Sequence, residues 1–213
     1  MKAIAINGSP RKGWNTEALL KEALRGASSM GAETKLVQLY DLKYTGCRSC
    51  FGCKRKGREN CHCVIKDELS SVLEEILDAD VLFLGTPIYF GDMTGQMVSF
   101  FERLGFPLLS YDGPNKKLFE GKINAAMFYT MNATETYYKD SMKQGLQFRT
   151  DLLKLLGGTV EVYAACDTYQ FSDYAKFHAG IFDENHKRKV HEEQFPKDLQ
   201  ATFEIGCRLA TRE

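Results

Sequence analysis

The chain carries no surplus of charge: 28 Lys and Arg residues stand against 28 Asp and Glu in 213 residues, a net charge of zero. A protein that grips nucleic acid through its phosphates carries a basic excess, so the composition speaks against that class. No run approaches the roughly 18 apolar residues of a membrane span. The opening Met1-Lys2-Ala3-Ile4-Ala5-Ile6-Asn7 is broken by Gly8-Ser9-Pro10, too early for the apolar stretch of a signal peptide. A cytoplasmic location is therefore expected. Internal repeats, low-complexity linkers and domain boundaries are also missing. What the chain does have is 44% hydrophobic and 12% aromatic residues, enough to close one globular core.

Strand and helix patterns alternate. Short apolar or alternating runs at Lys2–Asn7, Thr34–Tyr40, Val81–Gly85, Ile123–Thr130 and Thr159–Ala165 read as strands. Helical spacing appears at Thr16–Met30, Asp67–Ala79, Thr94–Leu104, Ser141–Leu156 (ended by Gly157-Gly158) and Lys197–Leu209. The continuous apolar run Val-Leu-Phe-Leu-Gly at 81–85 marks a strand covered on both faces. The pattern predicts an α/β fold, a doubly wound five-stranded parallel sheet of order 2-1-3-4-5 with helices on both faces. Residues 1–213 are expected to form one domain. Two long irregular insertions stand out: the cysteine-rich loop 47–63, and Tyr169–Pro196 within a C-terminal extension from about residue 167.

Ligands of such sheets bind beyond the carboxyl ends of the strands, at the point where strand order reverses. Asn7-Gly8-Ser9-Pro10-Arg11-Lys12-Gly13-Trp14-Asn15-Thr16 occupies that position between strand one and helix one. Free amides and the positive end of a helix favour an anion there, with Ser9, Asn15 and Thr16 as added donors and Arg11 as a charge. Gly8 and Gly13 have P-loop spacing, but Trp14-Asn15 replaces the required Lys-Ser/Thr, and the G-x-G-x-x-G dinucleotide fingerprint is missing. A single terminal phosphate such as that of FMN suits the loop. The bland alternative makes these residues a turn and a helix cap. Gly85-Thr86-Pro87-Ile88-Tyr89-Phe90-Gly91-Asp92-Met93, after strand three, faces the same crevice and offers the flat apolar wall that a flavin ring needs. Alternatively, Tyr89 and Phe90 are ordinary core or interface aromatics.

Gly8-Ser9-Pro10-Arg11 with Asn15-Thr16, the cysteine segment before helix two, Ala79-Asp80, and Thr86-Pro87-Ile88-Tyr89-Phe90 followed by Phe101-Glu102-Arg103 resemble the NADPH-dependent FMN reductase family. They are more similar still to its iron–sulfur flavoprotein branch. The resemblance runs in order over about residues 1 to 165 and is weak beyond. It implies a flavodoxin-like fold, bound FMN, two-electron chemistry with NAD(P)H or a protein donor, and a homodimer or homotetramer. By position it implies that Ser9, Arg11, Asn15 and Thr16 hold the phosphate, that Pro87, Ile88, Tyr89 and Phe90 line the ring, and that Thr130, Met131 and Asn132 approach its other side.

Five of seven cysteines fall between Cys47 and Cys63. In a reducing compartment that points to metal or redox chemistry more than to disulfides. The family's compact motif is met by Cys47, Cys50, Cys53 and Cys61, which implies a [4Fe–4S] cluster, with Cys63 as an extra candidate. Structural zinc and a metal-free loop remain open. Lys54, Arg55, Lys56 and Arg58 would offset the thiolates' charge, lower their pKa, or dock an acidic partner such as ferredoxin. Cys166 and Cys207 read as small buried hydrophobes, and Arg103 as part of an ion pair or an interface. The histidines His62, His178, His186 and His191 show no metal-binding or nucleophile-activating pattern, though His62 lies in the cysteine loop. Met93, Met97, Phe100 and Phe101 suggest a subunit interface.

The expected function is an FMN-dependent oxidoreductase passing electrons from NAD(P)H or a reduced ferredoxin-like protein to a small-molecule or protein acceptor. The flavin carries the chemistry, so no catalytic side chain is demanded. Two other readings are an electron-transfer relay without small-molecule turnover and a flavin- or metal-responsive binding module.

Overall fold

Alternation along the central strands sorts their side chains to two faces, and each face collects its own helices. The computed structural model describes residues 1–57, 61–113 and 118–211. In chain order the elements are β1 (Lys2–Asn7), α1 (Asn15–Ser29), β2 (Glu33–Gln38), α2 (Ser70–Leu77), β3 (Val81–Tyr89), β4 (Asp92–Met93), α3 (Gly95–Leu108), β5 (Ile123–Thr130), α4 (Glu135–Tyr137), α5 (Lys143–Asp151), β6 (Gly157–Ala165), α6 (Glu184–Glu193) and α7 (Phe195–Leu209). Ile4, Ile6, Leu82, Leu84, Met127 and Tyr129 point into the core shared with α2 and α3. Ala3, Ala5, Val81, Phe83, Ala126 and Phe128 point into the core shared with α1 and α7. On that second face α1 and α7 touch backbone to backbone. A Cβ on Gly26 would lie 2.1 Å from the Phe203 carbonyl oxygen, and one on Gly206 only 2.0 Å from that of Ala23.

The parallel strands run in the order β2-β1-β3-β5-β6, with β4 antiparallel to β3. This is the expected doubly wound, flavodoxin-like arrangement, with one correction: the sheet has six strands, not five. The segment taken for a loop after Gly85 is strand as far as Tyr89. β1 stops opposite Gly85, whereas β3 stays paired with β5 as far as Pro87 opposite Thr130. Beyond Gly85 the β1 side of β3 has no neighbour in that ladder, so Pro87 is tolerated without a donor. The unequal strand ends leave a notch above β1.

Three further expectations are corrected. The helix expected over Ser141–Leu156 is α5 flanked by a π turn at Tyr138–Met142 and a 3₁₀ turn at Leu152–Leu156. The tight turn eclipses residues three apart and so buries Leu153 and Leu156 together. Tyr169–Pro196, expected to be irregular, contains α6, capped by the Asp183 carboxylate accepting from Asn185 N and His186 N. Met93, Met97, Phe100 and Phe101 are all buried in the chain's own core and offer no surface to a second subunit.

Arg103, on α3, is 1% exposed. Its guanidinium donates to both Asp67 carboxylate oxygens (2.7 and 3.2 Å), to the Thr45 and Ile65 carbonyls, and through Nε to Cys63 Sγ at 3.0 Å. Burial alone would raise the Asp67 carboxyl, but the bonds and charge of Arg103 outweigh it and hold the group below its usual range. The resulting stabilisation is present above the unfolded carboxylate pKa and is lost as pH falls through the lowered folded value. Asp67→Asn strands a buried cation and is expected to cost about 3–5 kcal/mol. Urea midpoints at neutral pH check this, and the gap from the unmodified chain should narrow on acidification below the ordinary carboxylate range.

Candidate functional site

The notch above β1 opens into a cleft lined by Ser9, Arg11, Trp14, Asn15, Thr16, Pro87, Ile88, Tyr89, Thr130, Met131, Asn132, Thr168, Tyr169 and Gln170. The structure thus brings together every expected cofactor residue except Phe90. Phe90 and Gly91 are the two central residues of the β3–β4 hairpin, with φ of 52° and 82°. Positive φ at both positions is what a type I′ loop requires. Phe90 is fully exposed at that tip and does not line the cleft.

One end of the cleft is the start of α1. Its first intrahelical bond runs from Ala18 N to the Trp14 carbonyl at 2.9 Å, and Trp14 supplies no side-chain cap. The amides of Asn15, Thr16 and Glu17 therefore begin the positive end of the helix. The loop before it is pre-shaped by its own polar atoms. Asn7 Oδ1 accepts from Ser9 N at 2.9 Å, and Ser9 Oγ accepts from Arg11 N at 3.1 Å. Gly13 N donates to Glu17 at 2.9 Å, and Gln38 links Asn7 to the same carboxylate. Burial would raise the Glu17 carboxyl, but its bonds to Lys21, Gly13 and Gln38 hold it below its usual range. The ion pair with Lys21 at 2.7 Å offsets the negative charge that Glu17 brings to the helix start.

The remaining expected donors face the far side of the cleft. Arg11 lies over the Trp14 ring, 4.8 Å from its centroid, and donates to the Gln170 carbonyl at 2.6 Å. Asn15 Nδ2 donates to the Tyr169 carbonyl at 2.8 Å. The Thr16 and Thr130 hydroxyls share a hydrogen bond of 2.7 Å across the notch. Asn7, Glu17 and Gln38, and Thr168 to Gln170, were not expected from the sequence. The second group had a signal: it follows the last parallel strand, where the carboxyl-end rule also places ligands.

The cysteine segment behaves differently. Among the described residues, no three or more His, Cys, Asp or Glu side chains converge to hold a metal ion. Cys50 is exposed, Cys53 and Cys61 are buried, and Cys47 and Cys63 lie between. A recess beside them is lined by Gly52, Cys53, His62, Cys63 and Glu74, with the His62 ring against the Glu74 carboxylate. Burial pushes the Cys53 and Cys61 thiols up despite Lys54, a correction to the expected lowering. Lys54 is spent elsewhere, on the Phe106 and Pro107 carbonyls at the end of α3. Arg58 lies outside the described residues. Cys166 and Cys207 are half-buried rather than buried, and burial pushes the Cys166 thiol up to about 11.

A doubly wound parallel sheet with a hydroxyl-, guanidinium- and aromatic-lined cleft at its switch point defines a flavodoxin-like class of protein. The comparisons with known proteins agree. The family model described as NADPH-dependent FMN reductase matches residues 1–149, and the chain belongs to that family. An iron–sulfur flavoprotein of Methanocaldococcus jannaschii is 36% identical over 113 residues, 51% of this chain and 56% of that protein. One of Methanosarcina thermophila is 34% identical over 103 residues, 48% of this chain and 52% of that protein. The matched stretch thus spans about half the length of these curated relatives. An NAD(P)H:quinone oxidoreductase from Methanothermobacter marburgensis superposes with a TM-score of 0.71 at 15% identity, covering 100% of this chain and 98% of that one. An azoreductase from Bacillus anthracis gives 0.66 at 14%, covering 98% and 99%. At these identities the structures share the fold.

The hairpin tip offers a test of design against stability. An aromatic residue held at positive φ in solvent is strained without being packed. Phe90→Asn is expected to raise stability by up to about 1 kcal/mol, read as a higher urea midpoint. An unchanged or lower midpoint means that Phe90 packs in a way its exposure does not reveal.

Proposed function

We propose that the cleft binds FMN and that the protein passes electrons from NAD(P)H, or from a reduced ferredoxin-like protein, to a small-molecule or protein acceptor. The observation that carries this reading is the polarity gradient along the cleft. Its α1 end gathers amides, hydroxyls and one guanidinium. Its other end is walled by Pro87, Ile88, Tyr89 and Met131. One uncapped helix end and one cation suit one phosphate rather than a triphosphate. Ser9, Arg11, Asn15 and Thr16 would hold that phosphate, and Pro87, Ile88, Tyr89, Thr130 and Met131 would line the ring. A homodimer or homotetramer is the proposed assembly.

Bound FMN would supply reversible two-electron chemistry. The chain's part is to bind, orient and shield. Among the described lining residues there is no Asp, Glu, His or Lys, so the wall presents no general acid or base. Burial raises the Tyr89 hydroxyl, which stays protonated at neutral pH. The apolar wall withholds water from one side, and the open mouth leaves room for a donor and an acceptor in turn.

A relay without small-molecule turnover needs a second redox centre near the first. The described cysteines do not assemble one, so no step here runs through an iron–sulfur cluster or zinc, and the relay and binding-module readings are less favoured. Among the described residues no helix is long and apolar enough to cross a membrane, and seven free cysteines favour a reducing, cytoplasmic setting.

Quenching of flavin fluorescence tests the reading. The chain should bind FMN more tightly than riboflavin, and NADPH or NADH should bleach the bound flavin anaerobically. Arg11→Gln and Ser9→Ala should weaken FMN about tenfold or more, the scale of a lost charge-assisted hydrogen bond, while leaving riboflavin unchanged. Equal losses for both flavins would place the phosphate elsewhere, and binding of neither would overturn the proposal.

A further inference from the structure

One side of the cleft is built by chain beyond the region that the family model matches, and a buried lysine holds it in place. Lys187, on α6, is 4% exposed. Its Nζ donates to the main-chain oxygen of Asn132 at 2.8 Å and to the Asp167 carboxylate. Asp167 is held at φ 57°, a left-handed conformation uncommon for a residue with a side chain. Its other carboxylate oxygen faces His186 Nε2. From this point the turns after β5 and β6 are stitched together. Asp167 N donates to the Ala133 carbonyl at 2.7 Å. Thr168 donates to the Met131 carbonyl through both N (2.9 Å) and Oγ1 (3.0 Å).

A lysine is a poor choice for packing alone, because burying its charge is costly unless it is fully paired. Here it is paired, and both partners belong to turns that line the cleft. A second observation shows what the arrangement prepares. Asn132 lines the cleft, and its Oδ1 is a buried oxygen without a hydrogen-bond partner among the described residues. Buried acceptors are almost always satisfied, so one left open beside a cleft is matched to a donor that arrives with a ligand. An oxidised flavin ring carries a single N–H, at N3 on its pyrimidine edge.

We infer that Lys187 is a positioning residue. Through Asp167 and the Asn132 carbonyl it fixes the two turns as one wall and presents Asn132 Oδ1 to the N3–H of the flavin. The inference rests on the FMN reading of the cleft but concerns the ring, not the phosphate.

Affinities for FMN, riboflavin and 3-methylriboflavin, read by fluorescence quenching, test it with no reference to turnover. Lys187→Met should weaken FMN and riboflavin by the same factor, about tenfold, and Lys187→Arg should recover most of the loss. The unmodified chain should bind 3-methylriboflavin, which lacks the N–H, several-fold less tightly than riboflavin. Asn132→Ala should lose that preference even if Lys187→Met fails to fold. A folded Lys187→Met chain with unchanged affinities, a loss confined to FMN, or a preference that survives in Asn132→Ala overturns the inference while leaving the FMN site standing. If the unmodified chain binds no flavin at all, the reading of the cleft falls and this inference with it.

Discussion

The cleft depends on one residue having no side chain. Gly8 N donates to the Gly85 carbonyl at 2.8 Å, and the Gly8 carbonyl accepts from Thr94 Oγ1 at 2.7 Å. The turn after β1, the middle of β3 and the cap of α3 therefore meet at a single point. A Cβ on Gly8 would sit 2.8 Å from Met97 Cε and 3.2 Å from the Gly85 oxygen. The Met97 methyl can swing aside, but its Cβ, 3.0 Å away on α3, and the β3 backbone cannot give. With this knot tied, β1 ends where β3 continues, and the loop to α1 must turn back over the gap. The bonds from Asn7 through Ser9, Gln38 and Glu17 to Gly13 then fix the loop before any ligand arrives. That pre-organisation lowers the ordering cost of binding.

Much of this was legible in the sequence because hydrophobic periodicity and the carboxyl-end rule act on short stretches. β5 is found over the expected residues, β1 likewise, and the loops after β1, β3 and β5 face one another as the strand order requires. What escaped was set by partners distant in the chain. Val81–Gly85 shows its apolar run, but the extension to Tyr89 exists only because β5 and β4 pair with it. Helix α6 reads Glu-Asn-His-Lys-Arg-Lys-Val-His-Glu-Glu, with Val190 its only apolar residue and a lysine its one buried side chain, so periodicity had nothing to register. Phe90 looked like a ring contact because Pro87, Ile88 and Tyr89 beside it line the cleft. A two-residue hairpin turn sends it outward.

The cysteine segment shows the same division between pattern and place. Spacing reports which thiols could meet, whereas meeting depends on how the backbone is anchored. Here Arg103 grips Thr45, Cys63, Ile65 and Asp67 from inside the core, and Lys54 caps the carbonyl end of α3. These contacts fasten both ends of the segment to α3 through charges whose burial only multiple hydrogen bonds make tolerable. The expected lowering of thiol pKa failed for a related reason. The cation nearest Cys53 is engaged by carbonyl dipoles, and burial of the sulfur outweighs its field.

The two donors best suited to a phosphate, Arg11 and Asn15, are bonded to the carbonyls of Gln170 and Tyr169. An arriving phosphate must share or replace those bonds. The exchange is inexpensive, because both carbonyls line an open cleft where water can take over from the lost donors. The strip 168–170 also joins the wall that Lys187 secures, so the two ends of the cleft are mechanically connected. In the proposed reading, a phosphate held by Arg11 and Asn15 would act on the same strip of chain that borders the ring. The matched family region contributes the loops after β1, β3 and β5, and the strip 168–170, which bonds to Arg11, Asn15 and Met131, comes from outside it. On the FMN reading, residues 168–170 would border the ring from beyond the region that the family pattern describes.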